Sequence, residues 1–242
     1  MNNKNHKIDT IILAAGMGTR MKSATPKVLH ELLGKPMVSY ILEAVSDICE
    51  DAPVVVVGSG ADQVKSTIGD KARFVLQEPQ LGTAHAVMCA REILRGRSDL
   101  VLVANSDFPL ITRETYSSLI ETHMKGNSPL TICTVVADDP REFGRIVRDS
   151  EGRISGIVED KAATEAQKKI KELNSNPYCF DAEWLWGSLE KIQKSAVGEY
   201  YLTDLVKIAY EEGYCIRPDG TYDFRFHRLH AKDGGAIAVS DI

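Results

Sequence analysis

Three clusters of residues carry types and spacings suited to chemistry on phosphates. The first is Ala15-Gly16-Met17-Gly18, with Arg20, Pro26 and Lys27 just beyond it. Small residues let a backbone bend sharply and leave its N–H groups uncovered, which makes a concavity that suits anions. Arg20 can grip two phosphate oxygens at once, and Lys27 offers a point charge, aimed by the fixed φ of Pro26. The second is Gln77-Glu-Pro-Gln-Leu-Gly-Thr-Ala-His85. Gln77 carries both an amide donor and an acceptor able to read a base edge. Gly82 permits close backbone approach, Thr83 offers a hydroxyl, and His85 reads as a packing residue. The third is Asn105-Ser106-Asp107-Phe-Pro-Leu110. An acid beside a phosphate-holding turn suits Mg²⁺, which prefers one or two carboxylates plus substrate phosphates.

The elements needed to hold these clusters are legible in the apolar pattern. Residues 10–14, 53–57, 72–77, 99–104 and 130–136 read as buried strands, rich in Val, Ile and Leu. Helical spacing begins after Pro36, and helices are expected over 61–68, 84–94, with Thr83 as cap, and 112–125. Strands alternating with helices predict βαβ units and a Rossmann-like, mainly parallel sheet flanked by helices. In such sheets ligands sit at the carboxyl ends of the strands, where all three clusters fall.

The rhythm changes after Ala137. Residues 145–148, 153–159 and 177–180 read as short strands, the first two joined through Asp149-Ser-Glu-Gly152, with a charged helix over 164–173. This predicts a small lobe, about 138–200, over the ligand edge. Gly144, Glu159 and Asn174 offer it groups that hydrogen-bond sugar hydroxyls and an acetamido group. Helices are expected over 182–194 and 201–212, with Trp184 and Trp186 as packing residues. Beyond Arg217 the pattern dissolves into an atypical tail, 217–242.

Bulk properties narrow the function classes. The chain has 242 residues, 43% hydrophobic, with a formal net charge of −5. That charge argues against duplex nucleic acid as partner, and anionic substrates would require locally gathered cations. Five scattered cysteines without a Cys-x-x-Cys pair read as buried thiols of a reducing compartment. No apolar run reaches the ~20 residues of a membrane span, and residues 1–9 lack a signal-peptide core. A cytoplasmic protein without membrane partners is expected.

Taken together and in this order, these stretches resemble the uridyltransferase domain of the bifunctional N-acetylglucosamine-1-phosphate uridyltransferase family. The resemblance rests on Leu13-Ala-Ala-Gly-Met-Gly-Thr-Arg20, Pro26-Lys27, Gln80-Leu-Gly-Thr83, Asp107-Phe-Pro-Leu110, Gly144-Arg-Ile146 and Glu199-Tyr-Tyr-Leu-Thr-Asp204. It spans roughly residues 8–216, and it implies a nucleotide-diphospho-sugar transferase type of fold with a sugar-binding lobe. It implies that Leu13, Ala14, Ala15 and Gly16 line the uridine and phosphates of UTP, and that Arg20 and Lys27 hold the triphosphate. Gln77 and Gly82 would read uracil, Asp107 would bind Mg²⁺, and Thr83, Gly144, Glu159 and Asn174 would hold N-acetylglucosamine 1-phosphate. Asn105 and Ser106 stand where the family carries Tyr-Gly. The Asn that serves the family as second metal ligand has no counterpart, and the loss of pattern after Arg217 reads as a shifted frame or a truncation. No hexapeptide-repeat acetyltransferase domain follows. Because that domain assembles trimers in the family, a monomer is expected. Two further readings are a nucleotidyltransferase for another sugar 1-phosphate and a catalytically weak nucleotide-sugar-binding protein.

Overall fold

The computed structural model describes residues 6–16, 18, 21–139 and 142–214, together with the backbone of 225–230. β1 (Ile8–Ala14) begins the chain's central sheet, and a small hairpin follows, β2 (Glu31–Leu32) and β3 (Lys35–Pro36). Then come α1 (Met37–Val45), β4 (Val54–Val57), α2 (Ala61–Ile68), β5 (Arg73–Leu76), α3 (Thr83–Cys89), α4 (Arg91–Leu94), β6 (Leu100–Asn105), α5 (Arg113–Met124) and β7 (Leu130–Val136). The second part holds β8 (Arg145–Arg148), β9 (Ile154–Val158), β10 (Glu172–Asp181), α6 (Ala182–Ser188), α7 (Asp204–Glu211) and β11 (Arg225–His230).

The sheet runs β11-β7-β10-β6-β1-β4-β5. β1 pairs in parallel with β4 and β6, and β4 in parallel with β5. β10 runs antiparallel to both β6 and β7. The sheet is thus mixed and mostly parallel, as the alternating pattern predicts, with one reversed strand wedged in.

Side chains alternate along β1, so one strand feeds two cores. Ile11 and Ala15 face a layer built from α3, α4, α6 and α7, through residues such as Val87, Leu94, Leu185 and Leu205. Ile12 and Ala14 face the opposite layer, with Ile41 of α1, Val64 of α2 and Leu119 of α5. β4, four valines all fully buried, packs on both faces. Each such side chain contributes about 1.5–3 kcal/mol on leaving water.

Several elements differ from their sequence expectations. The charged helix over 164–173 is a single 3₁₀ turn, Gln167–Lys169. Gln167 folds back on Thr164, accepting from its N–H at 2.9 Å, and Leu173, 1% exposed, is drawn into β10 instead. The helix expected over 84–94 is two, because the Ala90 N–H closes a tight turn on the Val87 carbonyl. Thr83 does not cap it. Gly82 holds the cap position, and the Thr83 hydroxyl oxygen accepts from the Leu202 N–H at 2.9 Å. The helix over 112–125 forms as Arg113–Met124, with Thr112 as the expected side-chain cap, accepting from the Thr115 N–H. The last two helices are shorter than their apolar pattern: α6 tightens to a 3₁₀ turn at Leu189–Lys191, and α7 starts only at Asp204. Cys49, Cys133 and Cys179 are buried free thiols, and Cys89 is half-buried. Cys215 and the tail lie outside the described residues, except for the backbone of β11, which pairs in parallel with β7.

The lobe is continuous with the sheet. β8 and β9 form the expected hairpin, and β8 pairs with β10 at Leu173↔Arg145. β10 then passes through a bulge between Asn174 and Tyr178 and continues between β6 and β7. Asn176, at φ 72°, takes the left-handed conformation that the bulge demands and that Asn tolerates. The Asn174 carboxamide oxygen accepts from the Asn176 N–H, which fixes the turn.

Candidate active site

The carboxyl ends of β1, β5 and β6 converge on a cleft of about 460 Å³. Leu13, Ala15 and Gly16 form one side, and Gln77, Gly82 and Thr83 lie in the wall opened by β5 and α3. Asn105, Ser106, Asp107 and Lys27 complete it. Ten of the sequence-derived site residues therefore meet in one cavity. Ala14 does not line it; its methyl group belongs to the core on the other face of β1. Arg20 lies outside the described residues.

Lys27 Nζ lies 2.9 Å from Asp107 Oδ2, both side chains being less than a third exposed. Lys27 is placed by the short 3₁₀ turn Lys27–Leu29, which starts directly after Pro26. Gly18, at φ 58°, packs against it so closely that a Cβ would sit 2.8 Å from Lys27 Cβ. The Ser106 hydroxyl donates to the Leu13 carbonyl at 2.6 Å, tying the ends of β6 and β1 together. Among the described residues no group of three or more His, Cys, Asp or Glu side chains is gathered for a metal. A cation here would take the Asp107 carboxylate and fill its shell with phosphate oxygens and water, a ligand set Mg²⁺ accepts.

The opposite wall is closed on itself. Gln77, 4% exposed, donates from Nε2 to the Gly82 carbonyl at 2.9 Å, and the same nitrogen lies 3.1 Å from His85 Nδ1. Its donor side is thus engaged, leaving the amide oxygen. His85 is more than packing, since it helps to hold Gln77. Gly82, at φ 97°, is required twice over: no L side chain favours that conformation, and a Cβ would meet the Tyr200 carbonyl oxygen at 2.5 Å.

Gly144, Glu159 and Asn174 are outside this cavity lining and form a neighbouring cluster. The Asn174 N–H donates to the Gly144 carbonyl at 2.8 Å, and a Cβ at Gly144 would lie 3.6 Å from both Asn174 Cβ and Glu159 Oε2. The Asn174 amide donates to the buried Tyr178 hydroxyl at 2.6 Å. Glu159 accepts from the Thr203 hydroxyl at 3.0 Å. Burial raises the Glu159 carboxyl above its ordinary value, against the lowering effect of that hydrogen bond, and the nearby Asp204 and Glu199 carboxylates push the same way as burial.

The two clusters are joined through residues 199–203. The Tyr200 N–H donates to the Leu81 carbonyl, the Tyr200 carbonyl accepts from Ala84, and Leu202 donates to Thr83. The Glu199–Asp204 motif carries no site residue on sequence grounds, yet Glu199 lines the cleft, as do Gly18, Met21, Val28, Gln80 and Ala86. Gln80 and Glu199 were visible as polar residues inside the quoted stretches. Val28 and Ala86 carry no signal beyond hydrophobicity.

A mostly parallel sheet flanked by helices, with a glycine-containing turn after its first strand and a lysine-paired carboxylate at its ligand edge, is the architecture of a nucleotidyltransferase. The chain belongs to the MobA-like NTP transferase domain family, whose pattern it matches over residues 10–206. It is 46% identical over 209 residues to the bifunctional protein GlmU of Heliobacterium modesticaldum, which covers 86% of this chain and 46% of that protein. It is 47% identical over 204 residues to the bifunctional protein GlmU of Geobacillus thermodenitrificans, covering 84% and 44%. The chain thus spans about half the length of the curated relatives it matches. A Bacillus anthracis structure described as a glucose-1-phosphate thymidylyltransferase superposes with a TM-score of 0.73 at 19% identity, covering 92% of this chain and 87% of that one. A UDP-glucose pyrophosphorylase solved with UDP-glucose gives 0.68 at 16%, covering 91% of each. At those identities the likeness is one of fold. No helix among the described residues is long and apolar enough to cross a membrane.

Proposed function

We propose that the chain transfers a uridylyl group from UTP to N-acetylglucosamine 1-phosphate, giving UDP-N-acetylglucosamine and pyrophosphate. The observation that carries this reading is the joining of two clusters. One is a cleft lined by the Lys27–Asp107 ion pair and by Gln77, Gln80 and Asn105. The other is the Gly144, Glu159 and Asn174 cluster, stitched to the first through Thr83, Leu202 and Thr203. The likeness to two proteins named GlmU supports it. The reaction makes the chain a cytoplasmic enzyme with two soluble anionic substrates.

In this reading the nucleophile is a phosphate oxygen of the sugar 1-phosphate, ionised at neutral pH because a phosphomonoester's second pKa is about 6. It bonds to the α-phosphorus of UTP, and the bond from that phosphorus to the bridging oxygen of pyrophosphate breaks. No general base is needed. The chain's task is to hold two anions together, by positioning and by charge. The Lys27 ammonium lies against the α-phosphate, and Arg20 holds the departing pyrophosphate. Leu13, Ala15 and Gly16 support the nucleoside and phosphates, and Gln77 and Gly82 face the base. Thr83, Gly144, Glu159 and Asn174 orient the sugar. Mg²⁺ held by Asp107 supplies neutralisation of phosphate charge when bound.

The test is pyrophosphate release from UTP and N-acetylglucosamine 1-phosphate, with and without Mg²⁺, beside other nucleoside triphosphates and sugar 1-phosphates. Release confined to the UTP and N-acetylglucosamine 1-phosphate pair is expected. Release with a different pair reassigns the substrates, and UDP-sugar binding without release from any pair makes the chain a binding protein.

A further inference from the structure

The Gly58-Ser59-Gly60 turn that closes β4 contributes no residue to the cleft lining, yet Gly58 abuts two that do, Ala15 and Gln80. Gln80 reaches across the end of β4, and its Nε2 donates to the Ala15 carbonyl at 2.5 Å. The contact is possible only because residue 58 has no side chain. A Cβ there would lie 2.2 Å from Gln80 Nε2 and 2.6 Å from the Ala15 oxygen. Gly58 is absent from the positive-φ glycines of the chain, so its role is space and not backbone conformation.

We propose that Gln80 and Gly58 are positioning residues that set the width of the nucleobase cleft and hence its selectivity for a pyrimidine over a purine nucleotide. The inference rests on the uridylyl-transfer reading. Gln77, Gln80 and Gly82 line the cleft from the segment after β5, and Leu13, Ala15 and Gly16 line it from the end of β1. The first wall is closed internally by the Gln77 bond to the Gly82 carbonyl. The Gln80 bond to Ala15 spans the two walls. That one hydrogen bond sets the gap. Neither Gln80 nor Gly58 needs to touch the base.

The experiment is calorimetric titration of UTP, ATP and pyrophosphate into the wild-type chain, Gln80→Met, Gly58→Ala and the double variant. Gln80→Met keeps the length and removes the donor, and Gly58→Ala expels the amide from the other side. Each single variant should lower the UTP-over-ATP preference about tenfold, the scale of one hydrogen bond, with pyrophosphate affinity unchanged. The double variant should lose no more than the worse single, since both remove one contact. A preference kept by both singles, or additive losses in the double, overturns the proposal while leaving the uridylyl reading intact. A wild-type chain with no preference for UTP overturns both. A fall in melting temperature with the preference retained marks Gln80 as structural only and also overturns it.

Discussion

Lys27 Nζ and Asp107 Oδ2 lie 2.9 Å apart although 80 residues separate them in sequence. One comes from the turn after β1 and the other from the end of β6, adjacent parallel strands. Each charge neutralises the other in the free protein. In the proposed reaction a phosphate would compete for Lys27 and a cation for Asp107, so each ligand would assist the other by dissolving the same pair.

Replacing Lys27 by Met leaves Asp107 without its partner and the triphosphate without an ammonium. We expect kcat/KM for UTP to fall about 10²-fold or more, the scale of losing one preorganised charge contact. Mn²⁺ binding without nucleotide, followed by its paramagnetic resonance, should tighten in the same variant. Asp107→Asn should remove both that binding and the dependence of turnover on divalent metal. An unchanged metal titration would withdraw the Asp107 assignment.

Arg20 follows the Gly16-Met17-Gly18 stretch in sequence, and the proposed reaction gives it the departing pyrophosphate. Arg20→Ala should lower kcat/KM by about 10²-fold, with the loss expressed also as weaker pyrophosphate inhibition. Turnover near the wild-type level would remove Arg20 from the mechanism.

Glu159 gives a pH-dependent prediction. Burial first, then Asp204 and Glu199, hold its folded-state carboxyl above the ordinary value. The folded chain keeps that proton in a range where the unfolded chain has lost it. Stability is therefore drained as pH rises from the ordinary value through the raised one, and the cost persists above it. Glu159→Gln, which can still accept from Thr203, should raise the melting temperature at pH 7.5, and the gain should vanish at pH below about 4. The same variant should weaken N-acetylglucosamine 1-phosphate about tenfold, from the loss of a charged acceptor. Equal melting temperatures at neutral pH would contradict the buried-charge account.

Tyr116 supplies a stability test away from the site. Its ring is fully buried among the α5 side of the core, and its hydroxyl has no hydrogen-bond partner among the described residues. Burial accordingly pushes the phenol pKa up. An unpaired buried hydroxyl costs about 1–3 kcal/mol. Tyr116→Phe should stabilise the chain by about 1 kcal/mol, visible as a rise of about 2–4 °C in thermal unfolding. A destabilisation would reveal a partner for the hydroxyl.

The parallel half of the fold was legible because its strands are short runs of Val, Ile and Leu, a signature of strands covered on both faces. The clusters at their ends followed once ligands were placed at the carboxyl edge. The reversed strand was not legible in full. Pro177 to Phe180 reads as a strand, but Glu172 to Asn174 carries the charge of the segment before it, and only pairing with β7 and β8 makes it extended. The expected 164–173 helix failed for the same reason, since periodicity over ten residues cannot reveal which neighbour will claim them. Thr83 shows the limit within the site. Its type and place suit a cap, and the structure spends its hydroxyl on Leu202, more than a hundred residues away. Gln80 stood in plain view in a quoted motif, yet its bond to Ala15 depends on a glycine in a third segment.

The insertion of β10 between β6 and β7 governs how the chain can be assembled during synthesis. β7 emerges first, but both of its neighbours, β10 and β11, are made later. Until residues 172–181 leave the ribosome, β7 is a buried-type apolar strand with two open edges, and the β6 edge is open as well. A nascent chain whose residues through 136 have left the ribosome while 172–181 have not presents both to other molecules. The second half of the sequence therefore acts as an edge-cover for the first, and the interval before it arrives is the one in which this chain is most exposed to misassembly.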